Sequence, residues 1–178
     1  PATHMQVLRQ VDRPRFVMAD TMNYYIEHER GGLLELMERV GCLILNEAEA
    51  LQLSGEPGLL AAARWVCEHG PTYCIIKKGE HGSLLRGPEG TFVLPGFPQE
   101  RVVDPTGAGD AFAGGLMGYL ARKDDLALPT MKLALAYGTV TASFAIEQFG
   151  LGALEAATPK AAEARLAEFV RSTHLFSP

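Results

Sequence analysis

Val102-Val103-Asp104-Pro105-Thr106-Gly107-Ala108-Gly109-Asp110-Ala111-Phe112 is the most informative stretch of the sequence. A short β-branched run ends in Asp104, a glycine-rich turn follows, and a helix then opens that carries further glycines at Gly114, Gly115 and Gly118. Backbone N–H groups around Gly107, Ala108 and Gly109 would point free at the positive end of that helix. Such a turn is an anion site, suited to phosphate and to the charge that builds up in phosphoryl transfer. It is not a Walker loop, because GxxxxGK[ST] is absent and no lysine follows. It is not a GxGxxG fingerprint either, because Phe112 stands at the third glycine position. Asp110 is out of place in a pure anion receptor, since a carboxylate repels phosphate. An enzyme that moves a phosphoryl group onto an alcohol has a use for it: the carboxylate orients the hydroxyl and accepts its proton. The plainer alternative is an aspartate that caps the helix.

Upstream of that turn, short apolar runs alternate with helical patterns. Residues 5–11 read as the end of a helix that stops near Pro14. Phe16-Val17-Met18-Ala19 is a buried strand closed by Asp20, and Asn23 can cap a helix whose face is marked by Leu33, Met37 and Val40 before Gly41 ends it. Cys42-Leu43-Ile44-Leu45 is a second strand, followed by a short helix opened by Asn46 and ending near Gly55. A further helix runs over 57–68, with Pro57 in its first turn and Gly70 as its stop, and Tyr73-Cys74-Ile75-Ile76 is the third strand. This rhythm predicts right-handed crossovers and a mostly parallel sheet. Ser83-Leu84-Leu85-Arg86 and Thr91-Phe92-Val93-Leu94 flank the turn residues Gly87-Pro88-Glu89-Gly90 and predict a hairpin. Helices are expected near 109–122, 129–148 and 159–172, the last started by Thr158-Pro159. The second carries small side chains that allow close packing. With no repeat, low-complexity tract or linker, residues 1–178 are expected to form a single unit.

Composition narrows the function classes. The 178 residues are 47% apolar, enough for a sizeable core. A net charge of −5 and a pI near 5.5 leave no basic footprint for nucleic acid or an anionic membrane surface. No run of 18 apolar residues appears, and the first residues lack the basic, apolar, small-residue order of a signal peptide. The expectation is a cytoplasmic protein. Cys42, Cys67 and Cys74 form no CxxC pair, and two of them sit in apolar runs, where a reduced thiol acts as a small core residue. The five histidines are scattered without HxxxH spacing, so no zinc site is visible.

Residues 104–115, Asp-Pro-Thr-Gly-Ala-Gly-Asp-Ala-Phe-Ala-Gly-Gly, resemble nearly residue for residue the C-terminal signature of the ribokinase-like (PfkB) family of small-molecule kinases. The resemblance implies Asp110 as the catalytic base and the backbone of Gly107, Ala108 and Gly109 as the anion hole. Asp104 and Thr106 match positions that help bind a monovalent cation such as K⁺, with residues near Ala145 and Gly150 able to complete it. Asn46-Glu47-Ala48-Glu49 resembles the NxxE motif, which implies that Asn46 and Glu49 serve Mg²⁺ and phosphate, partly through water. Asn46 with Glu49 three residues on is equally a helix capping box. Lys77-Lys78-Gly79-Glu80-His81-Gly82 resembles the strand-end segment that lies along ATP. There Gly79 and Gly82 permit close approach, and Lys77 either contacts phosphate or is solvated. The helix with Tyr137 resembles the one that flanks adenine, although Tyr137 replaces an asparagine common among sugar kinases. Asp20 and Asn23 match a polar cluster of some members, and are equally a strand terminator and a helix cap.

The implied fold is α/β, a ribokinase-like three-layer α/β/α arrangement with a mostly parallel sheet and a β-hairpin. The implied activity is ATP- and Mg²⁺-dependent phosphorylation of an alcohol group on a sugar or nucleoside. Only the later part of the family's pattern is present. The expectation is therefore a C-terminal nucleotide-binding and catalytic part, inactive alone, without the N-terminal half and the β-lid through which relatives form homodimers. The alternative is a non-catalytic nucleotide-binding or interaction module derived from such a kinase.

Overall fold

The computed structural model describes residues 1–173. Their contacts gather into two compact units: Pro1–Gly79 with Ser83–Val93, and Glu80–Gly82 with the chain from Leu94 onward.

The first unit is built on a five-stranded mixed sheet in the order β1 (Met18–Asp20), β2 (Cys42–Asn46), β3 (Tyr73–Lys77), β4 (Ser83–Gly87) and β5 (Gly90–Leu94). β1, β2 and β3 run parallel, with Asp20 opposite Ile44 and Asn46 opposite Lys77. β4 turns back antiparallel to β3 as the first arm of the hairpin. Leu43, Leu45, Cys74 and Ile76 pack into one cluster with Leu33, Met37, Leu53, Ala62 and Val66 from the helices. The alternate positions, Cys42, Ile44, Ile75 and Leu85, are buried as well. A sheet covered on both faces explains why its strands read as continuous apolar runs rather than as alternation. Each such Leu or Ile withdrawn from water contributes about 1.5–3 kcal/mol.

The helices of this unit are α1 (Ala2–Leu8), α2 (Asn23–His28), α3 (Arg30–Met37), α4 (Glu47–Ser54) and α5 (Leu59–Glu68). Several bounds differ from the sequence expectation for local reasons. α1 ends at Leu8, and the N–H groups of Gln10 and Val11 make tighter bonds to Val7 and Leu8. β1 begins two residues later than the apolar run, because Phe16 is spent on packing, edge-on to Tyr73 at 6.3 Å. The single helix expected to follow is two, broken at Glu29 (φ −131°), where Gly31 and Gly32 lower helix propensity. Asn23 is not its cap. Met22 holds that position, and Asn23 is the first helical residue. Pro57 stands just outside α5, whose cap is Gly58. Burial pushes the thiols of Cys42 and Cys74 well up and that of Cys67 up to about 11, so all three are unreactive protonated thiols at neutral pH.

The second unit is helical: α6 (Ala108–Lys123), α7 (Leu128–Ala145), α8 (Gly152–Ala156) and α9 (Pro159–Thr173). α8 is absent from the sequence expectation, and α7 stops three residues short of its expected end. α6 and α7 lie close because their facing positions are small. A Cβ at Gly115 would collide with the Thr141 side chain, and one at Gly138 would come 2.7 Å from the Phe112 carbonyl. Thr139 and Thr141 remain compatible with that burial by returning their hydroxyls to the Leu135 and Tyr137 carbonyls one turn back. The Thr158 hydroxyl accepts the Ala161 N–H and starts α9 as expected. Among the described residues no helix is long and apolar enough to cross a membrane.

Candidate active site

The glycine-rich turn occupies the start of α6. The N–H groups of Val103 and Asp104 donate to the Ile146 carbonyl at 2.9 and 3.4 Å, which hangs the turn from the end of α7. The Asp104 carboxylate accepts the Thr106 N–H at 3.0 Å, with the Thr106 hydroxyl and the Gly150 N–H near enough to favour its charged form. These donors, the Thr106 N–H first, hold its carboxyl below the usual carboxylate range. Asp104 and Thr106 are thus brought together, with Gly150 beside them.

Gly107 then takes a left-handed conformation (φ 78°) with open space where a Cβ would stand, and serves as the helix cap without any side-chain bond. Only glycine adopts that conformation without strain. The Ala108 N–H closes back on the Pro105 carbonyl at 3.2 Å. Those of Gly107, Gly109 and Asp110 have no partner among the described residues. The Asp110 side chain lies in the first helical turn, exposed and likewise without a partner among the described residues, and it does not cap the helix. The capping alternative therefore fails for Asp110. A free carboxylate stands beside free backbone donors at a positive helix end.

Asp20, Asn46, Glu49 and Lys77 lie in the first unit, at or just beyond the carboxyl ends of its parallel strands, where open α/β sheets hold their ligands. Asp20, Asn46 and Lys77 end β1, β2 and β3. Asn46 caps α4: its side chain accepts the Glu49 N–H at 2.8 Å, and the Glu49 carboxylate accepts the Asn46 N–H at 2.9 Å. The capping box read from the sequence is built in full. Glu49 is buried, and burial raises its carboxyl despite the Asn46 N–H bond. Asp20 nearby raises it further, and Lys77 opposes. Lys77 Nζ reaches the Asp20 carboxylate at 2.6 Å. The lysine is thus neither solvated nor unengaged.

Gly79 (φ 56°) has open space around its Cα, whereas Gly82 (φ 88°) is pressed against the Leu94 and Pro95 backbone. Gly82 is glycine for internal packing, and Gly79 leaves room for a neighbour. Tyr137 is half-buried on α7, its ring 5.3 Å from Tyr119, with the Arg122 guanidinium over both rings.

Two arrangements escaped sequence reasoning. One is the Asp20–Lys77 pair, which spans β2. Its signal is a charged residue ending each of two strands, usable only once the strand order is known. The other is a cluster of Gln99, Ser143, Glu147 and Arg165 beside an open cleft of about 770 Å³ that Phe97, Arg101 and Val103 also line. No group of three or more His, Cys, Asp or Glu side chains converges on a metal-sized space among the described residues.

Compared with known proteins, the sequence matches the profile described as pfkB family carbohydrate kinase over residues 7–158. The cytidine kinase of Thermococcus kodakarensis is 36% identical over 126 residues, 67% of this chain and 44% of that protein. Aminoimidazole riboside kinase from Salmonella enterica, in complex with aminoimidazole riboside and an ATP analog, aligns with a TM-score of 0.75 at 27% identity. That match covers 85% of this chain and 52% of the other. The ribokinase of Thermotoga maritima aligns with a TM-score of 0.71 at 24% identity, over 95% of this chain and 52% of its own. The fold is ribokinase-like. The chain spans less than half the length of the curated relative and about half of each solved structure.

Proposed function

Because the chain belongs to the PfkB family of carbohydrate kinases, we propose that the whole protein transfers the γ-phosphoryl group of ATP to an alcohol hydroxyl of a sugar or nucleoside. Residues 1–178 supply its nucleotide-binding and catalytic part. Relatives named as cytidine kinase and aminoimidazole riboside kinase support a nucleoside-like acceptor. The observation that carries the reading is Asp110, an exposed carboxylate with no partner among the described residues, set among unpaired N–H donors at the start of α6.

Asp110 orients the acceptor hydroxyl and takes its proton as the O–P bond forms. In a loose transition state that proton leaves late, so an ordinary carboxylate suffices. The N–H groups of Gly107 and Gly109, with the positive end of α6, stabilise charge on the transferring phosphoryl oxygens. Lys77, Gly79 and Gly82 belong to the nucleotide-binding segment and Tyr137 to the adenine-flanking helix. Lys77 reaches phosphate only by releasing Asp20.

Mg²⁺ fits the residues present. It binds through one or two carboxylates, substrate phosphates and water rather than a protein cage, and Glu49 with Asn46 offers one such carboxylate. When bound, it neutralises phosphate charge. Glu49, raised by burial and by Asp20, would be held in its charged form by a nearby cation. Asp104, with its carboxyl held low, and Thr106 are the side chains for a monovalent cation such as K⁺. ATP as donor and three unpaired thiols support a cytoplasmic setting.

A second reading, a non-catalytic nucleotide-binding module, is favoured by the strand-end cluster, whose polar side chains already satisfy one another. Acceptor-stimulated ADP release by the whole protein, over a panel of sugars and nucleosides, separates the two. The kinase reading expects at least one alcohol to raise the rate tenfold or more. ATP binding with no stimulating alcohol supports the module.

A further inference from the structure

The 104–110 turn is held from outside its own sequence. Val103 and Asp104 hang from the carbonyl of Ile146, one residue beyond the end of α7. The start of the turn is thus tied to the residue that follows α7.

One side chain of α9 grips that stretch. Arg165 places one guanidinium nitrogen 2.7 Å from the Glu147 carboxylate and another 3.0 Å from the Ser143 hydroxyl. Its guanidinium carbon, Cζ, stands 3.6 Å from the centre of the Phe144 ring and 5.4 Å from that of Phe97. Gln99 reinforces the same two residues, donating to the Ser143 carbonyl at 2.8 Å and to the same Glu147 oxygen at 3.3 Å. The Arg165 side chain is only 20% exposed, so these bonds are little screened. A planar fork that pairs in two directions while stacking on an aromatic face is arginine's geometry, and a lysine's point charge cannot reproduce it.

We propose that Arg165 is a positioning residue for phosphoryl transfer. It fixes the end of α7 so that the Ile146 carbonyl presents the 104–110 turn, and with it Asp110, in one place. The catalytic consequence rests on the kinase reading above. The anchoring itself does not.

The test compares the unmodified whole protein with Arg165→Lys and Glu147→Gln, reading amide hydrogen exchange at Val103 together with kcat and the KM for ATP. Arg165→Lys is expected to speed exchange at Val103 at least tenfold, with the β2 and β3 amides unchanged. It is also expected to lower kcat at least tenfold while the KM for ATP stays within threefold. Glu147→Gln should shift both readouts the same way by less, and it stands in if Arg165→Lys fails to fold. Added guanidinium ion should recover part of kcat in Arg165→Ala, a rescue that general loosening would not show. Unchanged exchange at Val103 in a folded variant overturns the anchoring. Faster exchange with unchanged kcat overturns the catalytic role. If the unmodified protein phosphorylates no acceptor, the kinase reading fails on its own and the exchange data still decide the anchoring.

Discussion

Two regions carry kinase-like motifs, and they spend their polar groups in opposite ways. At the strand ends of the first unit, Asn46 and Glu49 close a reciprocal capping box and Lys77 is paired with Asp20. At the start of α6 in the second, the Asp110 carboxylate and the N–H groups of Gly107 and Gly109 meet nothing among the described residues. A satisfied network is architecture first, since removing one member leaves another unpaired at a cost of about 1–3 kcal/mol. Groups left open at a positive helix end add nothing to the fold and stand available to an anion. Substitutions of those open groups should therefore strike activity and spare stability, while those that break a bond of the strand-end network should cost stability.

The largest expected effect is at Asp110. Asp110→Asn keeps the shape and removes the base, so kcat should fall about 10²–10⁴-fold, the usual worth of a positioned general base. ATP affinity by calorimetry and the melting temperature should hardly move. Turnover retained within tenfold would remove Asp110 from that role.

Glu49→Gln comes next and probes the other side of the contrast. Glutamine still accepts the Asn46 N–H, so the capping box survives, but a buried charge beside Asp20 is gone. The Glu49 carboxyl is raised in the folded state, so its ionised form weakens the fold as pH rises above its ordinary value near 4.5. Glu49→Gln should therefore melt no lower than the unmodified protein at pH 7, while magnesium-dependent turnover drops about tenfold. Lower melting with full turnover would make Glu49 a cap and nothing more.

Lys77→Met breaks the ion pair across β2. A partly exposed pair of this kind is worth about 1 kcal/mol or less. A matching loss in denaturant unfolding, with ATP binding weakened severalfold, is the expected outcome. Unchanged ATP affinity would assign Lys77 wholly to Asp20.

The smallest effect concerns Asp104. Its carboxyl is held below the ordinary 3.8, so its contribution is full above that pH and is lost as pH falls through the folded value. The melting difference between the protein and Asp104→Asn should accordingly shrink below pH 3.8. A difference that persists unchanged at lower pH would contradict the bonded geometry of the turn.

The sequence made the two regions unequally legible. β2 and β3 were readable because strands buried on both faces leave unbroken apolar runs, and α4 because Asn46, Glu49 and Gly55 mark both its ends. The turn was readable because glycine is needed at Gly107 for a left-handed backbone. The break at Glu29 was not, since Gly31 and Gly32 weaken a helix without marking where it stops. The pairing of Asp20 with Lys77 was not, because local pattern carries no strand order, and two parallel spacings, about 10 Å, separate the strands it joins. Arg165 was hidden for a related reason. On α9 it reads as one more charge on a surface helix, and only the fold sets it against Phe144 and Glu147.

ADP release alone does not distinguish transfer of phosphate to an alcohol from hydrolysis of ATP. The direct measurement is ³¹P NMR of the whole protein with MgATP and the best acceptor of the panel. The expected result is a new phosphomonoester resonance coupled to acceptor protons, growing in step with ADP and absent with Asp110→Asn. ATP consumed only to ADP and inorganic phosphate, or no consumption with any acceptor, would contradict it.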